Sequence, residues 1–383
     1  MTGSFLVVWR WCHQPGEPGT QWTHGCPLGP QSAVLWCRVP SGRTVRTFQS
    51  TKRQVLFSVQ SDAVPTRQQF AFFTADRKES TTESTSTYSQ RLTDGLPTHS
   101  TPWPLGINLM LWTASPVANS DTTRLFQRLR TIGYSGVEVP LLDLEHLQPA
   151  ALGRVCDDHD LWRTASTALP PGATFMDPTA HPAALAWIER VCAAAHDLGA
   201  PIVCGPLCAP VGELPGRPFT DALSWCAEGL HRAGEIALSH GIRLVLEPIN
   251  RFESCVATTV DDAAVLLASA RSAGLGLMAD TFHMNIEERN PVAALSRHAP
   301  SLIHMHASEN DRGPCGTGHV PWEELFDALS RTGYAGRIVV ESFGDEVPQI
   351  ARACCIWRDL APSADALAVA SATFLRETMA RTR

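Results

Sequence analysis

From residue 105 onward the chain alternates two kinds of hydrophobic pattern. Short apolar runs of strand length are followed by stretches in which apolar residues recur every three or four positions. LGINLMLW over 105–112 reads as a buried strand. The segment 121–133 puts Leu125, Phe126, Leu129 and Ile132 on one helical face, and Gly133 supplies the stop. YSGVEVP over 134–140 is the second strand, with a short helix over 149–159, and WRTASTAL over 162–169 is the third. A helix over 181–198 aligns Ile188, Val191, Cys192 and Ala195 and ends at Gly199. APIVCG over 200–205 is the fourth strand, followed by a helix over 219–240. Strands five to eight fall at 242–247, 275–280, 302–306 and 337–342. Between them, Thr259 to Asp262 reads as a capped helix start, and a further helix lies near 290–299. The next helix starts at Pro321 and aligns Trp322, Leu325, Phe326 and Leu329. Helices fill the C-terminus.

Eight strand–helix units in succession favour a closed (β/α)₈ TIM barrel over an open doubly wound sheet. No GxGxxG motif follows the first strand, which weakens a dinucleotide-binding reading. TIGYSGVEV and RTGYAGRIVV echo each other, and shared helix-to-strand turn chemistry suffices to explain it.

The first 104 residues break the pattern. They hold 10 Lys+Arg against 6 Asp+Glu, so they carry +4 of a total net charge of -7, and the rest of the chain carries -11. Trp9, Trp11, Trp22 and Trp36 follow no period, and residues 80–101 are Ser/Thr-rich like a linker. Segments 53–61 and 68–75 read as isolated strands. Residues 1–104 are therefore expected to be a largely disordered or non-native N-terminal extension, translated from a misplaced start, with a small appended domain as the alternative. Residues 105–383 are expected to form the catalytic barrel.

Composition narrows the chemistry. Hydrophobic residues make up 44% of the 383, enough for a sizeable core. The acidic balance argues against nucleic acid as partner, and no apolar run has the ~20 residues of a membrane span. The only lysines are Lys52 and Lys78. A barrel without lysine has no Schiff-base nucleophile, Walker lysine or pyridoxal phosphate anchor. Twelve cysteines are scattered with no CxxC spacing, which argues against a zinc knuckle or disulfide framework. The start of the chain lacks a basic leader and a small-residue cleavage site. A cytoplasmic location is expected.

In a barrel of this type the chemistry sits where the strands finish. Glu247 ends strand five, Asp280 strand six, His306 strand seven and Glu341 strand eight. Three hard oxygens and one nitrogen suit one divalent ion, Mn²⁺ first, with Mg²⁺ or Co²⁺ as alternatives and zinc less natural. Glu253, His283 and Arg312 follow on the rim loops, where a polyhydroxylated ligand needs partners. His304 shares a strand face with His306 and is expected to be a hydrogen-bonded structural residue deeper in the barrel. Glu138, at the end of strand two, either touches substrate or braces an arginine. Cys204, Cys208 and Cys255 read as small buried residues.

The segments LEPINRFE, DTFHMNIEE, HMHASENDRGPCGTGHVPWEELFDAL, GYAGRIVVESF and WRDL together resemble the D-tagatose 3-epimerase / D-allulose (D-psicose) 3-epimerase family. That family belongs to the xylose-isomerase-like sugar phosphate isomerase/epimerase barrels. The resemblance covers about residues 105–360 and leaves the first 104 without counterpart. It implies a metal-dependent isomerase that interconverts free ketoses at C3, of the D-tagatose/D-sorbose and D-fructose/D-allulose type, as a homodimer or homotetramer. It implies metal ligation by Glu247, Asp280, His306 and Glu341, and substrate binding by Glu253, His283 and Arg312. Two stretches depart from the family, LCAPVG at 207–212 and the polar RTASTAL of strand three. Both line the distal end of the sugar in relatives, so they leave the preferred ketose open.

Inverting C3 needs a proton removed from one face and another returned to the opposite face. Glu247 and Glu341, from strands five and eight, are the candidate catalytic pair. An aldose–ketose or hydroxypyruvate-type isomerase, or a dehydratase on the same barrel, stays open as an alternative.

Overall fold

Eight parallel strands close into a barrel in a computed structural model that describes residues 36–38, 44–51, 54–58, 103–213 and 219–382. The chain divides into two compact units, residues 1–80 and 81–383. In the first, Trp36–Arg38, Thr44–Thr51 and Gln54–Ser58 form a three-stranded antiparallel sheet. The strand expected within 53–61 coincides with the last of these. The strand expected at 68–75 and the Ser/Thr-rich stretch 80–101 lie outside the described residues.

The barrel strands are β1 (Leu105–Asn108), β2 (Gly136–Pro140), β3 (Trp162–Ser166), β4 (Ile202–Gly205), β5 (Arg243–Leu246), β6 (Leu275–Asp280), β7 (Leu302–Ala307) and β8 (Arg337–Val340). Each pairs in parallel with the next, and β8 closes on β1 through Ile338 against Leu105 and Val340 against Ile107. Helices α1 (Ser120–Ile132), α2 (Pro149–Asp158), α3 (His181–Leu198), α4 (Phe219–Ser239) and α5 (Val260–Ala270) connect β1 through β6. Then α6 (Thr281–Glu287) and α7 (Pro291–His298) precede β7, and α8 (Trp322–Thr332) precedes β8. Helices α9 (Pro348–Ala353) and α10 (Ala364–Arg381) complete the chain. No described helix is long and apolar enough to cross a membrane.

Local chemistry accounts for the element ends. Leu125, Phe126, Leu129 and Ile132 are buried on α1, which stops at Gly133 in a left-handed conformation with φ +108°. Thr259 and Asp262 form a reciprocal capping box at the start of α5. The first strand is shorter than its apolar run. The Asn108 Oδ1 accepts from the Met110 amide at 2.9 Å and caps a 3₁₀ turn at Leu109–Leu111. Helix α6 was not legible as a helix, because it starts directly at the end of β6. Its N-cap is Asp280, whose carboxylate accepts from Phe282 N at 2.7 Å.

The main core lies between the strands and their helices. A small separate cluster of Cys204, Val245 and Met278 fills the barrel interior. Trp162 crosses two glycines, and a Cβ at Gly106 or Gly136 would collide with its ring. The Arg337 guanidinium stacks on the same indole, 4.8 Å from its centroid. G136A is therefore expected to destabilise the chain by about 1–3 kcal/mol through overpacking, read from denaturant melts. An unchanged midpoint would mean that the indole has room to move.

Candidate active site

The alternation of β-strand side chains selects the residues that point into the barrel. On β7 these are His304 and His306; on β6, Met278 and Asp280. Strand β5 directs Val245 inward, and Glu247 follows its last residue by one. Glu341 follows β8 in the same way. The structure brings Glu247, Asp280, His306 and Glu341 together, with one ligand atom of each within 4.8 Å of the others, and all four are buried.

A second group, Glu138, Cys204, His304 and His306, converges just as closely. Hydrogen bonding separates the two. In the second group, the Nε2 atoms of His304 and His306 and the thiol of Cys204 all pair with Glu138, at 2.8, 2.9 and 3.2 Å. In the first, Glu247 Oε1 and His306 Nδ1 are buried without a hydrogen-bond partner. His306 Nδ1 lies 3.2 Å from Glu247 Oε1 and 3.5 Å from Glu341 Oε2. Orphaned buried polar atoms on converging side chains are what a cation site leaves behind. Charge agrees: Asp280 and Glu341 share the single guanidinium of Arg312, and Glu247 has no arginine or lysine partner among the described residues. The donor set fits a divalent ion.

The electrostatics of the metal-free cluster are uneven. Burial pushes Glu247 up to about 7, with Glu341 and Asp280 adding to the rise against the opposing pull of His306. Burial also raises Asp280 despite Arg312 beside it. For Glu341 burial is outweighed by His306 and Arg312, so it is lowered. For His306 burial is likewise outweighed, by Glu341, Glu138 and Glu247, and it is held well above its ordinary value. The proton on that imidazole occupies the place a metal cation would take.

Arg312 is fixed from every side. Its Nη1 donates to Asp280 Oδ2 at 2.8 Å, Glu341 Oε2 at 2.9 Å and Ser308 Oγ at 3.1 Å. Phe282 and Phe343 lie against its guanidinium at 3.9 and 5.0 Å. Its backbone is left-handed at φ +67°, a strained conformation for a residue with a Cβ.

His283 stands next to it. Burial, then the charges of Arg312 and His306, hold His283 well below its ordinary value, so it is neutral. Its Nδ1 lies 3.1 Å from the Asn250 amide nitrogen, a donor. The Asn250 side chain also turns its Nδ2 toward that atom at 3.0 Å, while its Oδ1 accepts from Phe252 N. Nδ1 is thus an acceptor, and the single proton sits on Nε2. Yet Nε2 faces Arg312 Nη2 at 3.1 Å, donor against donor. An acceptor oxygen between them would satisfy both. Glu253 is one step further out, on the loop after β5, accepting from Asn250 Nδ2 at 2.9 Å.

Sequence reasoning missed part of the site. Glu138 braces no arginine among the described residues. It is fully buried and, besides the two histidines and Cys204, accepts from Thr164 Oγ1 and Asn108 Nδ2, each at 2.9 Å. The structural role expected of His304 is the one observed, a hydrogen bond to Glu138. Cys204 is more than a small buried residue, because its thiol contacts both Glu138 and, at 3.7 Å, His306 Nε2. Asn108 links Glu138 to Glu341 Oε1, 3.2 Å from its Nδ2.

A family model described as xylose isomerase-like TIM barrel matches residues 126–378. The "Probable ketose 3-epimerase" of Synechocystis sp. is 30% identical over 276 residues, covering 71% of this chain and 96% of its own. The L-ribulose 3-epimerase of Mesorhizobium japonicum is 31% identical over 275 residues, covering 71% and 92%. The crystal structure of D-allulose 3-epimerase from Methylomonas sp. in complex with D-allulose is similar with a TM-score of 0.67 at 26% identity, covering 73% of this chain and 100% of that one.

Proposed function

The chain belongs to the xylose isomerase-like TIM-barrel family, alongside the ketose 3-epimerases, and from that premise we propose that it epimerises free ketoses at C3 with one divalent cation. The observation that carries this reading is the buried convergence of Glu247, Asp280, His306 and Glu341, with two orphaned ligand atoms among them.

The C3 hydrogen of a 2-ketose is acidified by the neighbouring C2 carbonyl, and its loss gives an enediolate. A divalent ion, when bound, supplies Lewis-acid stabilisation of that charge. Glu247 and Glu341 project from β5 and β8, so they can flank a sugar. One carboxylate takes the C3 proton from one face, and the other returns a proton to the opposite face. His283 Nε2–H and the Arg312 guanidinium donate to O2, which resolves their mutual donor contact. Glu253 orients the C1–O2 end from the rim. Mn²⁺ is the first choice of ion, with Mg²⁺ and Co²⁺ as alternatives.

Titration of chelator-stripped protein with Mn²⁺ tests this. One site per chain is expected, lost in D280N. Burial favours protonated Glu247 up to about pH 7, so a bound cation must displace that proton. Affinity is therefore expected to rise with pH through 7 and to go on rising above it, because the proton held on His306 must be displaced as well. Affinity that is flat across neutral pH would contradict the role of Glu247 as ligand, and full turnover in strong chelator would contradict the metal itself.

A further inference from the structure

Glu138 has no part in the proton transfer described above, yet it is the most heavily bonded carboxylate in the barrel. It stands on β2 and reaches across the interior to β7. Its Oε1 takes His306 Nε2 at 2.9 Å and Asn108 Nδ2 at 2.9 Å. Its Oε2 takes His304 Nε2 at 2.8 Å, Thr164 Oγ1 at 2.9 Å and the Cys204 thiol at 3.2 Å. Asn108 cannot turn its amide round, because its Oδ1 already accepts from Met110 N at 2.9 Å.

We propose that Glu138 is a positioning residue, which holds His306 as its Nε2–H tautomer so that Nδ1 presents its lone pair to the cation. The proposal rests on the metal-dependent reading above. The geometry leaves little alternative. A single carboxyl proton could serve only one of the two imidazoles, whereas an ionised Glu138 accepts from both. Both Nδ1 atoms, of His304 and of His306, are buried without a partner. For His304 a lone pair at that position is tolerable, whereas an N–H group would be a buried orphan donor. For His306, Nδ1 faces Glu247 and Glu341, so a cation that binds there displaces the proton on Nδ1 while Nε2–H stays on Glu138. A carboxylate that orients a ligating histidine in this way typically contributes ten- to a hundredfold to metal affinity, on the order of magnitude seen for such outer partners.

The test uses the full chain. Glu138→Gln keeps the shape but offers one acceptor oxygen to two imidazoles. Mn²⁺ titration is expected to show affinity weakened about ten- to a hundredfold. Thr164→Val, which leaves Glu138 in place and removes one of its donors, is expected to show a smaller, severalfold loss and serves where the first variant fails to fold. ¹⁵N-histidine spectra of the wild-type protein loaded with diamagnetic Mg²⁺ need no variant. They are expected to show the His306 proton on Nε2, the resonance being assigned by its loss in His306→Gln. A proton on Nδ1, or unchanged affinity in folded Glu138→Gln, would overturn the proposal while leaving the epimerase reading intact. A role confined to stability would lower the melting temperature without weakening affinity. Wild-type protein that binds no divalent ion would remove both readings together.

Discussion

Glu247→Gln and Glu341→Gln are each expected to suppress exchange of the C3 hydrogen with solvent by about 10²–10⁴-fold, the usual contribution of a positioned acid or base. Both amides are isosteric, so the chain should stay folded. The stability of the two variants should nevertheless differ. In the metal-free chain burial already favours the neutral form of Glu247, and an amide oxygen can still face His306 Nδ1, which lies 3.2 Å from its Oε1. Glu341 is held ionised between Asn108 and Arg312, so an amide there must turn its NH₂ toward one of those donors. Melts in chelator should therefore leave E247Q at or above wild type and place E341Q below it. Exchange must be followed at saturating metal, because both variants also lose a ligand. Near-wild-type exchange in either would remove that residue from proton transfer.

Arg312→Met is expected to give the largest loss of stability in the site. The guanidinium joins Asp280, Glu341, Ser308 and His283, and no other arginine or lysine touches those carboxylates among the described residues. Removing it leaves two buried carboxylates without their cation. Breaking a buried pair from one side costs about 3–5 kcal/mol. Added Mn²⁺ should narrow the gap to wild type, because it supplies positive charge to the same oxygens. Arg312→Lys should fall between, since a point charge cannot span the fork. Equal melting of R312M and wild type in chelator would mean that Asp280 and Glu341 do not depend on this residue.

The barrel and the rim were readable from pattern because each rests on a short-range rule. Period-2 strands and 3.6-period helices mark the units, and the last inward residue of a strand marks the rim. Helix α3 falls on the boundaries its pattern predicts, His181–Leu198. The layer beneath the rim was not readable in this way. Asn108, Glu138, Thr164 and Cys204 come from four different strands and share no motif. The register of adjacent strands sets Asn108 and Thr164 beside Glu138, and closure of the barrel brings His304 and His306 against them. Asn250, whose contact with His283 sets the histidine's tautomer, was not readable either. Helix α6 escaped because its cap is itself a candidate metal ligand, so Asp280 reads as chemistry before it reads as an N-cap.

Product identification tests the central claim most directly. Mn²⁺-loaded protein would be incubated in D₂O with D-fructose, D-allulose, D-tagatose, D-sorbose and L-ribulose in turn, and the sugars resolved by chromatography and NMR. The account predicts interconversion within a C3-epimer pair, with deuterium entering at C3. An aldose labelled at C2, or a dehydrated enone, would contradict it.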